Sequence, residues 1–143
     1  MREFSKRKYD QSEQNGFPVE FSTKEELSTF SESVIWIGQS TILLNHNGLT
    51  VLTDPQFSYR ASPLVFAGPK RVTPTPFKIK DLPEIDVVLI SHNHYDHLDR
   101  SSIKDLIKHQ PSIKFMVSLG LAKTLHKWGA VDVTELDWWQ AVE

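Results

Sequence analysis

Ser91-His92-Asn93-His94-Tyr95-Asp96-His97-Leu98-Asp99 brings three imidazoles and two carboxylates into nine residues, directly after the apolar run Val87-Val88-Leu89-Ile90. Imidazole nitrogens and carboxylate oxygens are natural donors for zinc and similar divalent ions. The chain has 6 histidines in 143 residues, so placing three of them within six positions points to ligation rather than chance. His92 and His94 are two apart at the exit of a strand, so they point to the same side and can reach one ion. Asp96 and His97 follow once the chain has begun to turn into a helix, where they can face the same cavity and hold a second ion. Two ions in one pocket lower the pKa of a shared water, polarise a carbonyl or phosphoryl oxygen and stabilise the leaving oxygen. Hydrolysis is the reaction class this chemistry serves.

The elements that position these groups follow from residue type and period. Val34-Ile35-Trp36-Ile37, Thr41-Ile42-Leu43-Leu44 and Leu49-Thr50-Val51-Leu52-Thr53 are rich in β-branched and aromatic residues and read as strands. Asn47-Gly48 supplies the positive-φ pair of a tight turn between the second and third. From Asp54-Pro55 to Pro83 the segment holds prolines at 63, 69, 74, 76 and 83 as well as Gly68, and reads as one long loop. Ile85 to Ile90 lacks polar alternation after Asp86, which predicts a strand buried on both faces. Asp99 is placed to cap a helix over Arg100 to His109, with Ile103, Leu106 and Ile107 on one face and Pro111 beyond its end. A strand at Lys114 to Ser118, a helix from Leu119 to Trp128 stopped by Gly129, and a strand over Val131 to Leu136 complete the order. Strand, helix, strand, helix, strand is an α/β pattern. Residues 1–32 read as an irregular arm with a short helical turn at Lys24-Glu25-Glu26-Leu27, and 33–143 as the domain body.

Composition narrows the partners. A net charge of -2 without a basic stripe argues against nucleic acid, and Lys6-Arg7-Lys8 reads as a solvated tail. No apolar run approaches the roughly 20 residues that span a bilayer, and the start lacks a signal-peptide core, so a cytoplasmic location is expected. With no cysteine, any metal must be held by nitrogen and oxygen.

The segment from Ser91 to Asp99 resembles the H-x-H-x-D-H signature of the metallo-β-lactamase superfamily, whose four-layer αββα sandwich carries metals at its edge. Trp36-Ile37-Gly38-Gln39-Ser40-Thr41, Leu52-Thr53-Asp54-Pro55, Arg60-Ala61-Ser62-Pro63, Gly68-Pro69-Lys70-Arg71 and Glu135-Leu136-Asp137-Trp138-Trp139 resemble the branch of N-acyl-phosphatidylethanolamine-hydrolysing phospholipase D and its bacterial relatives. This resemblance covers about residues 34–139. It implies His92 and His94 as ligands of one zinc and Asp96 and His97 as ligands of the other. Asp96 would also orient the attacking hydroxide, and Asp54 would stand beside the pocket as a carboxylate supporting the ligands. Taken alone, Asp54-Pro55 reads equally well as a strand-end turn. Gln39 stands where many relatives carry histidine, and no role is read for it. Manganese or iron would suit the same donors as zinc.

In that family a further histidine, a bridging aspartate and a last histidine come from the second half of the sandwich. The chain therefore reads as the N-terminal half of a larger enzyme. His46, His109 and His126 lie beside a turn or on predicted helices and are not read as ligands. Trp36, Trp138 and Trp139 are expected to pack in the core or between halves, with an acyl-chain or substrate wall as the alternative. Leu64-Val65-Phe66 would line a pocket, touch a membrane surface or pack down on the core, and Lys70-Arg71 reads as a solvated pair, with binding of a substrate phosphate as the alternative. The resemblance implies a lipid-like substrate with a phosphodiester or ester bond and allows peripheral membrane contact. A small soluble lactone or sugar phosphate is the competing substrate. An inactive truncated fragment and a non-catalytic metal-binding module are the readings without turnover.

Overall fold

The computed structural model describes residues 23–29, 31–64 and 66–142. Expectations for Lys6-Arg7-Lys8, for the arm over residues 1–22 and for Val65 fall outside the described residues. Six strands form one sheet in sequence order: β1 (Ser33–Gly38), β2 (Thr41–His46), β3 (Leu49–Thr53), β4 (Val87–Ile90), β5 (Lys114–Ser118) and β6 (Asp132–Leu136). The first three pair antiparallel and the last four run parallel. That change of direction is dictated by the connections. Asn47 and Gly48, with φ of 50° and 79°, close β2 onto β3 in a two-residue turn, whereas parallel neighbours need crossovers. Helix α2 (Arg100–His109) joins β4 to β5, and α3 (Ala122–Trp128) joins β5 to β6.

Period-2 alternation sends Ile37, Leu43, Leu52, Val88, Ile90, Phe115 and Val117 to one face, where they meet Ile103 and Leu106 of α2 and Leu125 of α3. The short helix α1 (Lys24–Ser28) adds Leu27, which is 1 % exposed, to that core. Thr23 and Glu26 close its first turn as a capping box. The segment before β1 is thus anchored to the body by an apolar side chain.

The opposite face of the sheet is partly open among the described residues, with Val51 and Val87 buried near its middle. Val34 and Trp36 are exposed on it, and Leu89 is 38 % exposed. The expectation that β4 is buried on both faces holds for Val87 and is corrected at Leu89, because the helices cover only the face of Val88 and Ile90. The second helix starts at Ala122 rather than Leu119, since Leu119 and Gly120 form a turn in which Gly120 has φ of 85°. Its end at Gly129, with φ of 107°, is as expected.

Between β3 and β4 the long connection is structured despite its prolines. Ala61 N donates to Pro69 O at 3.1 Å and Arg71 N to Tyr59 O at 2.7 Å, closing residues 59–71 into a compact excursion. Gly68, at φ of 99°, lies so close to Ser62 that a Cβ there would stand 2.6 Å from the Ser62 Cβ. A 3-10 turn at Ile79–Asp81, with no periodic signal in the sequence, then buries Ile79 under α2.

Candidate metal centre

Two parallel neighbours build the site. β3 and β4 end side by side, with Thr53 opposite Leu89, and the residues just past their C-terminal ends are Asp54 and Ser91. Asp54 is 7 % exposed and turns into the left-handed region at φ of 37°. Its backbone is fixed on both sides: its N–H donates to Leu89 O at 2.8 Å, and its carbonyl accepts from the buried Thr41 hydroxyl at 2.8 Å. The side chain is thereby aimed across the strand ends. Asp54 Oδ1 accepts from Ser91 N at 2.8 Å, and Oδ2 accepts from Ser91 Oγ at 2.7 Å and from His97 Nδ1 at 2.8 Å.

A chain of hydrogen bonds starts at this carboxylate and orders the histidines. Ser91 Oγ gives its single hydrogen to Asp54, so toward His92 Nδ1, 2.9 Å away, it accepts. His92 then carries its proton on Nδ1 and offers the Nε2 lone pair, which lies 3.0 Å from His94 Nδ1. His94 in turn donates from Nδ1 and keeps its Nε2 lone pair free. His97, donating from Nδ1 to Asp54, likewise directs its Nε2 lone pair away from the buried carboxylate. With Asp54 as terminal acceptor, this chain favours the tautomer with the proton on Nδ1 and the lone pair on Nε2 in each ring.

The rings are packed together. His92 stands at a ring-centroid distance of 4.1 Å from His97 and 4.6 Å from His94. Backbone bonds from His97 N and Leu98 N to His94 O, at 3.0 and 2.7 Å, fold residues 94–98 into the turn that returns His97 toward His92. Buried Leu98 pins that turn to the core, and Asp99 caps α2 through Ser101 N at 3.2 Å. Asp96 Oδ2 lies 3.5 Å from His97 Nε2 and accepts from Gln39 Nε2 at 2.9 Å. The cluster is closed on itself: among the described residues no three His, Asp or Glu side chains already surround a common point. Three imidazoles and an adjacent carboxylate nonetheless suit a divalent ion. Its arrival would replace the contact between His92 Nε2 and His94 Nδ1 and leave the Nδ1 bonds of His92 and His97 intact.

The structure brings together all five residues expected at the site, His92, His94, Asp96, His97 and Asp54. Sequence reasoning missed three more. Ser91 relays Asp54 to His92, Gln39 holds Asp96, and Ser40 Oγ lies 3.5 Å from His97 Nε2. Gln39 reaches the site because it occupies the turn between β1 and β2 at φ of 53°, tied down by Trp36 Nε1, which donates to Gln39 O at 2.9 Å. The other histidines have separate employment. His46 pairs with Glu32 at 2.7 Å, whose carboxyl is held below its ordinary value first by the Asn47 backbone N–H and then by His46. His109 faces Asp105 at 3.7 Å, and His126 Nδ1 lies 2.9 Å from Ala130 O.

His94, Asp96 and Gln39 open on a cleft of about 820 Å³ walled by Trp36, Tyr95 and Arg71. Trp36 is therefore a cleft wall, the alternative reading for it, and Trp138 and Trp139 are 86 % and 98 % exposed, so of the two packings expected for them the structure excludes only the core of this chain. Arg71 is not a solvated cation: its Nη2 donates to the backbone and side-chain oxygens of Gln56.

Residues 50–143 match the model of the beta-lactamase superfamily domain. The chain belongs to the metallo-β-lactamase superfamily. It is 42 % identical over 113 residues to N-acyl-phosphatidylethanolamine-hydrolyzing phospholipase D 1 of Caenorhabditis elegans, covering 76 % of this chain and 32 % of the relative. It is 38 % identical over 108 residues to the mitochondrial N-acyl-phosphatidylethanolamine-hydrolyzing phospholipase D of Saccharomyces cerevisiae, covering 76 % of this chain and 23 % of that protein. Among solved structures, CmlA, a diiron β-hydroxylase from Streptomyces venezuelae, is similar with a TM-score of 0.56 and 32 % identity over 76 % of this chain and 21 % of that one. The chain spans a third or less of the length of these proteins. The fold is the mixed α/β layer of this superfamily, with a six-stranded sheet.

Proposed function

We propose that this chain carries the first ligand cluster of a metal-dependent hydrolase acting on a phosphodiester or ester bond in an N-acyl-phosphatidylethanolamine-like lipid. The observation that supports it most is the set of three imidazoles ordered in a hydrogen-bonded chain from Asp54 at the C-terminal ends of β3 and β4. In this reading His92 and His94 hold one ion, Asp96 and His97 a second, and Asp54 supports them from behind. Zinc is the proposed metal, and iron, the metal of the CmlA relative, is the alternative. A bound divalent ion would supply Lewis acidity toward the phosphoryl or carbonyl oxygen and a more acidic water.

The chain's own residues supply the rest. Asp96, held by Gln39, is placed to accept a proton from an attacking water and to orient it toward the cleft. Trp36 and Tyr95 offer apolar walls for an acyl chain or headgroup. No described helix is long and apolar enough to cross a membrane. A cytoplasmic protein that meets the bilayer peripherally, through exposed Leu64 and Phe66 on the long loop, fits a lipid substrate.

The test is a substrate panel on the full-length protein: N-acyl-phosphatidylethanolamine vesicles, a short-chain lactone and a sugar phosphate, each with and without chelator. Chelator-sensitive release of phosphatidic acid from the vesicles supports the lipid reading. Turnover of the lactone or sugar phosphate alone replaces it with the soluble-substrate reading. Oxygen- and reductant-dependent hydroxylation, the chemistry named for the CmlA relative, would overturn hydrolysis itself.

A further inference from the structure

Arg71 sits on the wall of the cleft that opens on His94 and Asp96, and nothing in the metal site uses it. Its burial and partners are unusual for an arginine. Both hydrogens of Nη2 go to Gln56, one to the backbone carbonyl and one to the side-chain amide oxygen. Nε is buried with no hydrogen-bond partner, and among the described residues no carboxylate lies within ion-pair reach of the guanidinium. Loss of water around it pushes its pKa down, and the field of the more distant Asp99 only partly opposes this. A cation that has given up water for neutral amide partners alone is a charge lacking its counterion.

The guanidinium is also held in a fixed place. Nη1 packs against the backbone of Gly38, where a Cβ would stand 2.7 Å from it and where φ of 135° favours glycine. Gly38 immediately precedes Gln39, whose amide holds Asp96. The turn between β1 and β2 therefore touches Arg71 through one residue and the metal cluster through the next. Nη1, unlike Nη2, has no hydrogen-bond partner among the described residues.

We propose that Arg71 is the oxyanion anchor of this cleft, its unpartnered Nη1 hydrogens receiving a phosphate or phosphodiester oxygen while the neighbouring bond lies against His94 and Asp96. Arginine suits the task because its planar fork binds such oxygens with directed, charge-assisted hydrogen bonds. The anchor deepens the hydrolase reading by assigning a residue to the charged part of the substrate, and it rests on that reading only for what happens to the anion once bound. A pure staple between Gln56 and the long loop is the structural alternative. That role would leave Arg71 indifferent to added anions.

The test is a nuclear magnetic resonance titration of the full-length protein, stripped of metal by chelator, following the arginine Nε–Hε signals. Inorganic phosphate and glycerophosphoethanolamine are the probes, and chloride at equal ionic strength is the control. The anchor predicts a saturable shift of the Arg71 signal with phosphate or with the diester and not with chloride. Arg71→Gln should weaken binding by about ten-fold or more, Arg71→Lys should restore part of it, and Lys123→Gln on α3 should leave it unchanged. Tighter binding of the diester identifies a lipid headgroup as the source of the anion, and tighter binding of phosphate a monoester. No saturable shift, an equal response to chloride, or undiminished binding in a folded Arg71→Gln protein overturns the anchor. The wild-type titration decides the matter even if a variant misfolds. Metal uptake is measured on a separate sample: a protein that binds phosphate at Arg71 but takes up no metal refutes the hydrolase reading and leaves the anchor standing.

Discussion

His97 and Asp54, 43 positions apart, are joined at 2.8 Å between Nδ1 and Oδ2, and through that bond the end of β3 fixes an imidazole beyond the end of β4. The same oxygen takes the Ser91 hydroxyl at 2.7 Å, so one buried carboxylate orders two branches of the cluster. A histidine held this way presents Nε2 outward in a single orientation, which is how carboxylates behind metal-binding histidines raise affinity.

Asp54→Ala should therefore lower metal affinity by about 10- to 100-fold in the full-length protein, the range for removing such a supporting carboxylate. Ser91→Ala breaks only the branch to His92 and should give the smaller loss. Competition with a fluorescent chelator measures both. Equal affinities in folded Asp54→Ala and wild-type proteins would show that the carboxylate does not act through the histidines.

Gln39→Ala frees Asp96 from its 2.9 Å hydrogen bond while leaving every imidazole in place. Because Asp96 is a proposed ligand of the second ion, kcat should fall, by up to about 100-fold if Asp96 drifts by an ångström, with occupancy of that ion weakened and the His92–His94 ion retained. Steady-state kinetics and metal analysis on one preparation measure the two effects. Unchanged kcat and metal content in a folded Gln39→Ala protein would show that Gln39 does not position Asp96.

Leu27→Ala probes whether the segment before β1 belongs to the domain. Its side chain is 1 % exposed among core residues, so truncation should cost about 2–5 kcal/mol in urea unfolding. An independent arm would give a change within about 0.5 kcal/mol, as surface substitutions do.

The residue types of the cluster and the elements carrying them were legible in the sequence because both are local signals. Spacing reveals His92, His94, Asp96 and His97, the run before Ser91 marks β4, and Asn47-Gly48 with Gly129 punctuates the chain. What escaped depends on contacts between distant segments. Gln39 meets Asp96 across 57 positions, and the Arg71 anchorage on Gln56 and Gly38 arises inside an excursion whose turns follow no period. Leu89 was misjudged for a different reason: apolar character tells that a side chain favours burial, and the cover it meets depends on which face has a neighbour.

The most direct test of the account is the metal content and hydrolytic activity of the full-length protein with His92→Ala and His97→Ala, one from each proposed ion pair of ligands. Elemental analysis after gel filtration should find stoichiometric divalent metal in the wild type and a clear loss in each variant, with hydrolysis of N-acyl-phosphatidylethanolamine falling together with it. Variants that fold, keep their full metal complement and turn over substrate at the wild-type rate would contradict the assignment of this cluster as a catalytic metal centre.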